Sequence, residues 1–175
     1  VEQGLSRVYP SFESYAHVVG YVGPVSDNDL KKGDENDPLL KIPRFQVGKV
    51  GIEKHYEDIL RGTAGVMKVE VNALGRVMRN LDRKEGKPGN NIQLTVDTEL
   101  QSYIQARLGS ESASAVVMNC KNGEILAIAS SPSYDPNKFV KGISFSDFNE
   151  LRDNDFRPLA SKTVQDAYPP GSTFK

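Results

Sequence analysis

Ala115-Val116-Val117-Met118-Asn119-Cys120-Lys121-Asn122-Gly123-Glu124-Ile125-Leu126-Ala127-Ile128-Ala129 is the stretch whose reading decides the fold. Two aliphatic runs, residues 115–119 and 124–129, flank an Asn-Gly pair, which tolerates the positive φ angles of a tight reversal. The runs are nearly continuous in apolar residues, so they predict two central strands covered on both faces. Before them, Asp97 caps a predicted helix carrying Leu100, Tyr103, Ile104 and Leu108 on one face, and Gly109 ends it. Ile92, Leu94 and Val96 alternate ahead of that helix as a further strand. After the hairpin, residues 130–138 form a loop rich in Pro and Ser. Ser144-Phe145-Ser146-Asp147 resembles a capping box, with Asp in place of Glu, opening a short helix to about Arg152. The rest reads as irregular. Local helices beside antiparallel strands make the fold class α+β.

The N-terminal half has the same mixed character. Tyr15, Val18, Val19 and Val22 follow i, i+3, i+4, i+7, which predicts an amphipathic helix with Ser11 as its cap and a turn at Gly23-Pro24. Ser26 opens a second helix through Lys32, ended by Gly33. Residues 33–47 read as a surface loop. Ile52, Tyr56, Ile59 and Leu60 form one stripe of a single helix, with Gly62 after its last turn. Met67, Val69 and Val71, then Val77 and Leu81, alternate with polar neighbours on either side of Gly75, a β-hairpin. Lys84-Glu85-Gly86-Lys87-Pro88-Gly89-Asn90 breaks the chain, and the domain boundary is placed there: residues 1–90 and 91–175.

Composition narrows the function classes. Of 175 residues, 38% are hydrophobic and 26% charged, with a net charge of −1, so no bulk field draws nucleic acid or an acidic membrane. The longest apolar run, residues 125–129, is far short of the about 20 residues of a membrane span, and Val1-Glu2-Gln3-Gly4 has no signal-peptide pattern. Cys120 is the lone cysteine, which excludes an internal disulfide, and at a strand end it reads as a small filler. His17 and His55 read as packing or surface histidines, too isolated for a metal cluster. No metal or cofactor is expected.

Tyr168-Pro169-Pro170-Gly171-Ser172-Thr173-Phe174-Lys175 carries the chemistry. Residues three apart share a helix face, so the Lys175 amine can reach the Ser172 hydroxyl, as in the Ser-x-x-Lys nucleophile motif. A serine in the first helical turn also meets the positive end of the helix dipole, which favours an oxyanion on a bound carbonyl.

Alone the motif is weak; its company is not. Gly20-Tyr21-Val22-Gly23, Gly51-Ile52-Glu53 with Tyr56-Glu57 and Leu60-Arg61-Gly62, Glu70-Val71-Asn72-Ala73-Leu74-Gly75-Arg76, Leu94-Thr95-Val96-Asp97 with Leu100-Gln101, Asn122-Gly123-Glu124-Ile125-Leu126-Ala127, and Ser131-Pro132-Ser133-Tyr134-Asp135-Pro136-Asn137 precede it in order. With the terminal motif they resemble the class B penicillin-binding proteins, most nearly the elongation type, penicillin-binding protein 2. One departure is local: Ser161-Lys162 stands where the family has Asn-Arg, which puts the local hydrogen bonding in doubt.

The resemblance implies a pedestal (dimerisation-type) region with short helices and a hairpin over 1–90, then the first helix and strands of a transpeptidase domain over 91–175. It implies a serine D,D-transpeptidase that cross-links peptidoglycan stem peptides and is acylated by β-lactams, with Ser172 as nucleophile and Lys175 as general base. The family's remaining motifs, Ser-x-Asn and Lys-Thr-Gly, are not among these residues. The chain is therefore expected to be an internal fragment that does not acylate by itself, from a protein anchored on the periplasmic side of the bacterial inner membrane. Two other readings stand beside this one: a non-catalytic docking module for wall-elongation proteins, and a serine β-lactamase or β-lactam sensor. The strands at 115–129 are expected to leave open edges that promote self-association.

Overall fold

The computed structural model describes residues 6–32, 37–43 and 45–174. A 3-10 turn at Phe12–Tyr15 leads into α1 (Ala16–Val19). Gly20, at φ 79°, ends the helix where a side chain would overlap the Val50 carbonyl, and the chain leaves as β1 (Val22–Pro24). Val22 thus lies in a strand rather than on the predicted helix face, and Gly23-Pro24 is strand rather than turn. Ser11 makes no side-chain cap bond. α2 (Asp27–Lys32) starts as predicted: Asp29 accepts hydrogen bonds from the Ser26 N–H and hydroxyl. Gly33 lies outside the described residues. The predicted loop holds a 3-10 turn at Pro38–Lys41 and β2 (Gln46–Gly48), which pairs antiparallel with β1.

The predicted helix over 52–61 is two: α3 (Gly51–His55) and α4 (Glu57–Arg61), broken at Tyr56. The break follows from carboxylates turned inward. Glu53 is buried beneath Arg7 and Tyr9, and Glu57 accepts from the Gly48 N–H at 2.7 Å, so Tyr56 and Ile59 stay exposed. The hairpin of β3 (Val66–Val71) and β4 (Val77–Lys84) forms as predicted, with bulges after Lys68 and Glu70. Residues 92–96 form no strand.

The 115–129 stretch folds into β5 (Ala113–Met118) and β6 (Ile125–Ser131), an antiparallel pair turned at Gly123, φ 78°. The prediction of two fully covered strands holds only for β6. Ala127, Ala129, Ser130 and Ser131 are buried, whereas Val116 and Met118 of β5 are half exposed. Cys120 is exposed and fills nothing.

The edge of β6 is closed by α5 (Thr98–Leu108). The Asp97 N–H donates to the Leu126 carbonyl at 2.8 Å. Gln101 accepts from the Ile128 N–H at 2.8 Å and donates to the Ile128 carbonyl at 2.9 Å. Gln105 donates to the Ser130 carbonyl at 3.3 Å. Geometry explains the match: four helical residues advance about 6 Å, and two strand residues about 6.7 Å. Positions 97, 101 and 105 therefore track 126, 128 and 130, and a helix stands where a third strand would. Gln101 is completely buried, while Tyr103, predicted to face the core, is exposed.

α6 (Asn137–Val140), α7 (Phe145–Arg152) and α8 (Lys162–Gln165) complete the chain. The predicted cap of α7 is present, with the Ser144 hydroxyl accepting from the Asp147 N–H; α8 lies in a stretch read as irregular. The core is aromatic and joins both halves: Tyr21 stacks on Phe139 at 4.2 Å, and Tyr134 meets His17 and Phe139 edge-on. Asn137 grips the backbone of Tyr9 twice, accepting from its N–H and donating to its carbonyl, each at 2.9 Å.

Candidate functional site

Ser172 lies in a single 3-10 turn, Gly171–Thr173, after the Pro-Pro pair. Its side chain is exposed, and no described residue hydrogen-bonds its hydroxyl. Lys175 lies outside the described residues, so the predicted helical pairing of serine and lysine is not on view. Among the described residues the helical geometry here is that single turn.

A chain of contacts fixes the approach to this turn. The buried Ser130 hydroxyl, at the end of β6, accepts from the Lys162 N–H at 3.2 Å and donates to the Ala160 carbonyl at 3.4 Å. That anchors the start of α8. Gln165 folds back to accept from the Ser161 N–H at 3.0 Å, satisfying a donor of the first turn. Arg157 then pairs with Asp166 at 2.7 Å, and the Tyr168 hydroxyl reaches Asp166 at 3.4 Å. These contacts run from β6 to Tyr168; Pro169, Pro170, Gly171, Ser172 and Phe174 are exposed.

Lys162, where the family has arginine, is buried. Its ammonium nitrogen has no hydrogen-bond partner among the described residues. Burial lowers its pKa, nearby Arg157 adds to this, and Asp166 opposes it. The local hydrogen bonding that the sequence put in doubt is thus carried by the Lys162 backbone, not its side chain. His17 is likewise buried at Nε2 without a partner, and burial, helped by the Lys162 charge, lowers its pKa to about 4. His17 is a neutral packing group against Tyr134, as expected. Among the described residues no cluster of His, Cys, Asp and Glu could hold a metal.

Sequence reading missed a second polar centre. The Tyr9 hydroxyl accepts from the Val22 N–H at 2.9 Å and donates to Glu53 at 3.2 Å. Arg7 completes the pair at 2.8 Å. Burial and the Glu53 charge push the phenol pKa up, against the Val22 hydrogen bond. The signal was weak: a Tyr before a Pro and a Glu inside a helical stripe. This centre joins residues 7–9 to β1 and α3 and holds no nucleophile.

Two family models match the chain, one described as Penicillin-binding Protein dimerisation domain over residues 1–94 and one as Penicillin binding protein transpeptidase domain over residues 113–175. The Peptidoglycan D,D-transpeptidase MrdA of Acinetobacter baumannii is 42% identical over all 175 residues, which are 26% of its length. The MrdA of Escherichia coli K12 is 41% identical over 170 residues, 97% of this chain and 27% of that one. The chain thus spans about a quarter of these relatives. Among solved structures, Pseudomonas aeruginosa PBP2 in complex with WCK 5153 superposes with a TM-score of 0.80 at 38% identity, over 96% of this chain and 33% of that one. PBP2 in its complex with MreC from Helicobacter pylori superposes with a TM-score of 0.83 at 36% identity, over 95% and 30%.

Proposed function

We propose, for a chain that belongs to the penicillin-binding protein family, that it is the part of a peptidoglycan D,D-transpeptidase that carries the pedestal and the nucleophile. The observation that supports this most directly is whole-chain identity of about 42% to a protein named for that activity, with a transpeptidase family model running through residue 175. In this reading residues 1–90 are the pedestal and 91–175 the start of the catalytic domain.

The chemistry is acyl transfer. The Ser172 oxygen attacks the carbonyl carbon of the penultimate D-Ala of a stem peptide. Lys175 takes the hydroxyl proton, which requires a neutral amine, and the collapsing tetrahedral intermediate expels D-Ala, whose leaving nitrogen takes up a proton. An amine of a neighbouring stem peptide then attacks the ester and releases Ser172. A β-lactam acylates the same oxygen by opening its ring. The protein works on the periplasmic side of the inner membrane. Among the described residues no helix is long and apolar enough to cross a membrane.

Residues 1–175 acylate little by themselves, because an oxyanion hole needs a second donor that the family takes from the Lys-Thr-Gly strand, and losing one donor costs about 100- to 1000-fold in rate. The test compares a fluorescent penicillin on the whole protein, its Ser172→Ala form, and residues 1–175. Labelling of the whole protein alone supports the assignment; labelling that survives Ser172→Ala rejects it.

A second role belongs to the pedestal. One structural neighbour is a complex of PBP2 with MreC, so we assign residues 1–90 a docking role for a wall-elongation protein. Pull-down with residues 1–90 removed tests it, and undiminished capture rejects it.

A further inference from the structure

We propose that the Arg157–Asp166 ion pair is a clamp that positions Ser172 for acylation, acting through the stiff segment Tyr168-Pro169-Pro170. The inference rests on the assignment of Ser172 as nucleophile made above.

Arg157 occupies an uncommon backbone state. Its φ is 49°, left-handed geometry that a residue other than glycine keeps only where its surroundings impose it. Here they do. Its N–H donates to the Asn154 carbonyl at 2.9 Å, and its carbonyl accepts from the Ala160 N–H at 3.0 Å. The next residue, Pro158, is fully buried. From this fixed loop the guanidinium donates to one Asp166 oxygen at 2.7 Å. The Asp166 carboxylate is only 17% exposed, and its other oxygen accepts from the Tyr168 hydroxyl at 3.4 Å. The pair thus closes residues 157–166 into a loop around α8, whose start is already tied to β6 through Ser130. The chain leaves Asp166 from a point fixed to the fold.

Beyond that point it has few ways to bend. Pro169 and Pro170 each lock their own φ and restrict the residue before them, so Tyr168 and Pro169 are doubly limited. Gly171, at φ 56°, is the joint beside the serine. Ser172 itself is exposed and its hydroxyl has no partner among the described residues, so its place is inherited from the backbone that leads to it. Placement matters because the attacking oxygen must come within about 3–3.5 Å of the carbonyl carbon, correctly aligned. Arg157 and Asp166 touch no reacting atom; they are positioning residues. Arg157 is the partner to alter, because Asp166 also bears on the buried Lys162 charge.

The test is the rate at which a fluorescent penicillin labels the whole protein. A concentration series reads the saturating rate constant and the half-saturating concentration separately. An ion pair with one exposed partner favours its closed form about two- to fivefold. Arg157→Gln should therefore lower the saturating rate constant about two- to fivefold and leave the half-saturating concentration unchanged. One guanidinium nitrogen makes the contact, so Arg157→Lys keeps a cation in reach of Asp166 and should restore the rate. Arg157→Gly suits the left-handed backbone; it should melt no lower than Arg157→Gln yet label as slowly, which separates positioning from folding. The clamp is overturned if Arg157→Gln labels at the wild-type rate, if its loss lies only in the half-saturating concentration, or if Arg157→Lys is as slow as Arg157→Gln. Ser172→Ala is run beside these. An unlabelled Ser172→Ala with an unaffected Arg157→Gln removes the clamp and leaves the transpeptidase reading, whereas a labelled Ser172→Ala removes both.

Discussion

Gln101 is the side chain on which the α5–β6 junction depends, and its replacement has a calculable effect. Its amide makes three bonds inside a fully buried site: donor to the Ser14 carbonyl at 2.7 Å, donor to the Ile128 carbonyl at 2.9 Å, acceptor from the Ile128 N–H at 2.8 Å. Gln101→Leu keeps the volume and leaves three backbone groups without partners. Each buried orphan costs about 1–3 kcal/mol, and the added apolar burial offsets about 1–2 of the total, so the loss is about 1–8 kcal/mol. Against a total stability of about 5–15 kcal/mol, the upper part of that range approaches unfolding. Gln101→Glu separates hydrogen bonding from shape. One carboxylate oxygen still accepts from Ile128, but the other faces the carbonyls of Ser14 and Ile128. Only the protonated acid can donate, and to just one of them, so burial and these acceptors raise the folded-state pKa above the unfolded value of about 4.3. Below pH 4 the variant is then short of wild type by one hydrogen bond, about 1–3 kcal/mol, and it loses up to about 1.4 kcal/mol more per pH unit above pH 4, until the folded pKa is passed. Urea titrations followed by circular dichroism at pH 4 and pH 7 measure this directly. A Gln101→Leu loss under 1 kcal/mol, or a Gln101→Glu deficit that does not grow with pH, refutes the reasoning.

Three further outcomes are expected. His17 is held neutral with its pKa near 4, so between its ordinary pKa of about 6.5 and that value the unfolded chain binds the extra proton. Stability should fall by up to about 3 kcal/mol as pH drops through that window, and His17→Phe should flatten the fall in pH-dependent melting. Tyr9→Phe leaves the buried Val22 N–H without its acceptor and should cost about 1–3 kcal/mol in denaturant unfolding; an unchanged midpoint would count against the buried centre. The outer edge of β5 has no strand partner among the described residues, and Val116 and Met118 beside it are exposed, so the chain should self-associate through that edge. Sedimentation should show Val116→Lys shifting the population to monomer; wild-type chain that stays monomeric at high concentration would sink this.

The sequence disclosed elements wherever the controlling interaction was local. The Asn122-Gly123 reversal, the Asp97 and Ser144 caps and the β3–β4 alternation each need only neighbours within a few residues, and each is present. It failed where a distant group decided the outcome. Val22 matches a helical stripe, yet the Tyr9 hydroxyl takes its N–H and β2 takes it into a strand. Tyr56 and Ile59 match a stripe too, but Glu53 and Glu57 own the buried side of that helix. Ile92, Leu94 and Val96 alternate like a strand, but the place beside β6 is occupied by Asp97, Gln101 and Gln105. Of the candidate site, the position of Ser172 after a proline turn was legible. The anchoring of the segment before it by Ser130 and the Lys162 backbone was not, because a serine in a strand and a lysine in a loop carry no mark of the bond between them.

That last bond says what Lys162 does for the approach to the Ser172 turn. Its ammonium has no partner in the described fold, yet its N–H holds α8 to the end of β6. A charged group with nothing to pair with gains nothing from burial, so the side chain is buried because the helix start is, and the helix start is there because Ser130 fixes it. The consequence separates the two atoms. Lys162→Met keeps the backbone bond and removes the buried amine, so it should leave α8 in place and raise stability by about 1–3 kcal/mol, as hydrophobic replacement of poorly compensated buried charge does. Ser130→Ala removes the acceptor of the Lys162 N–H and should release α8, seen as faster amide exchange at Lys162 and Val164. If Lys162→Met destabilises the chain as much as Ser130→Ala does, the amine has a partner role that this fold does not account for, and the hold on α8 runs through the side chain after all.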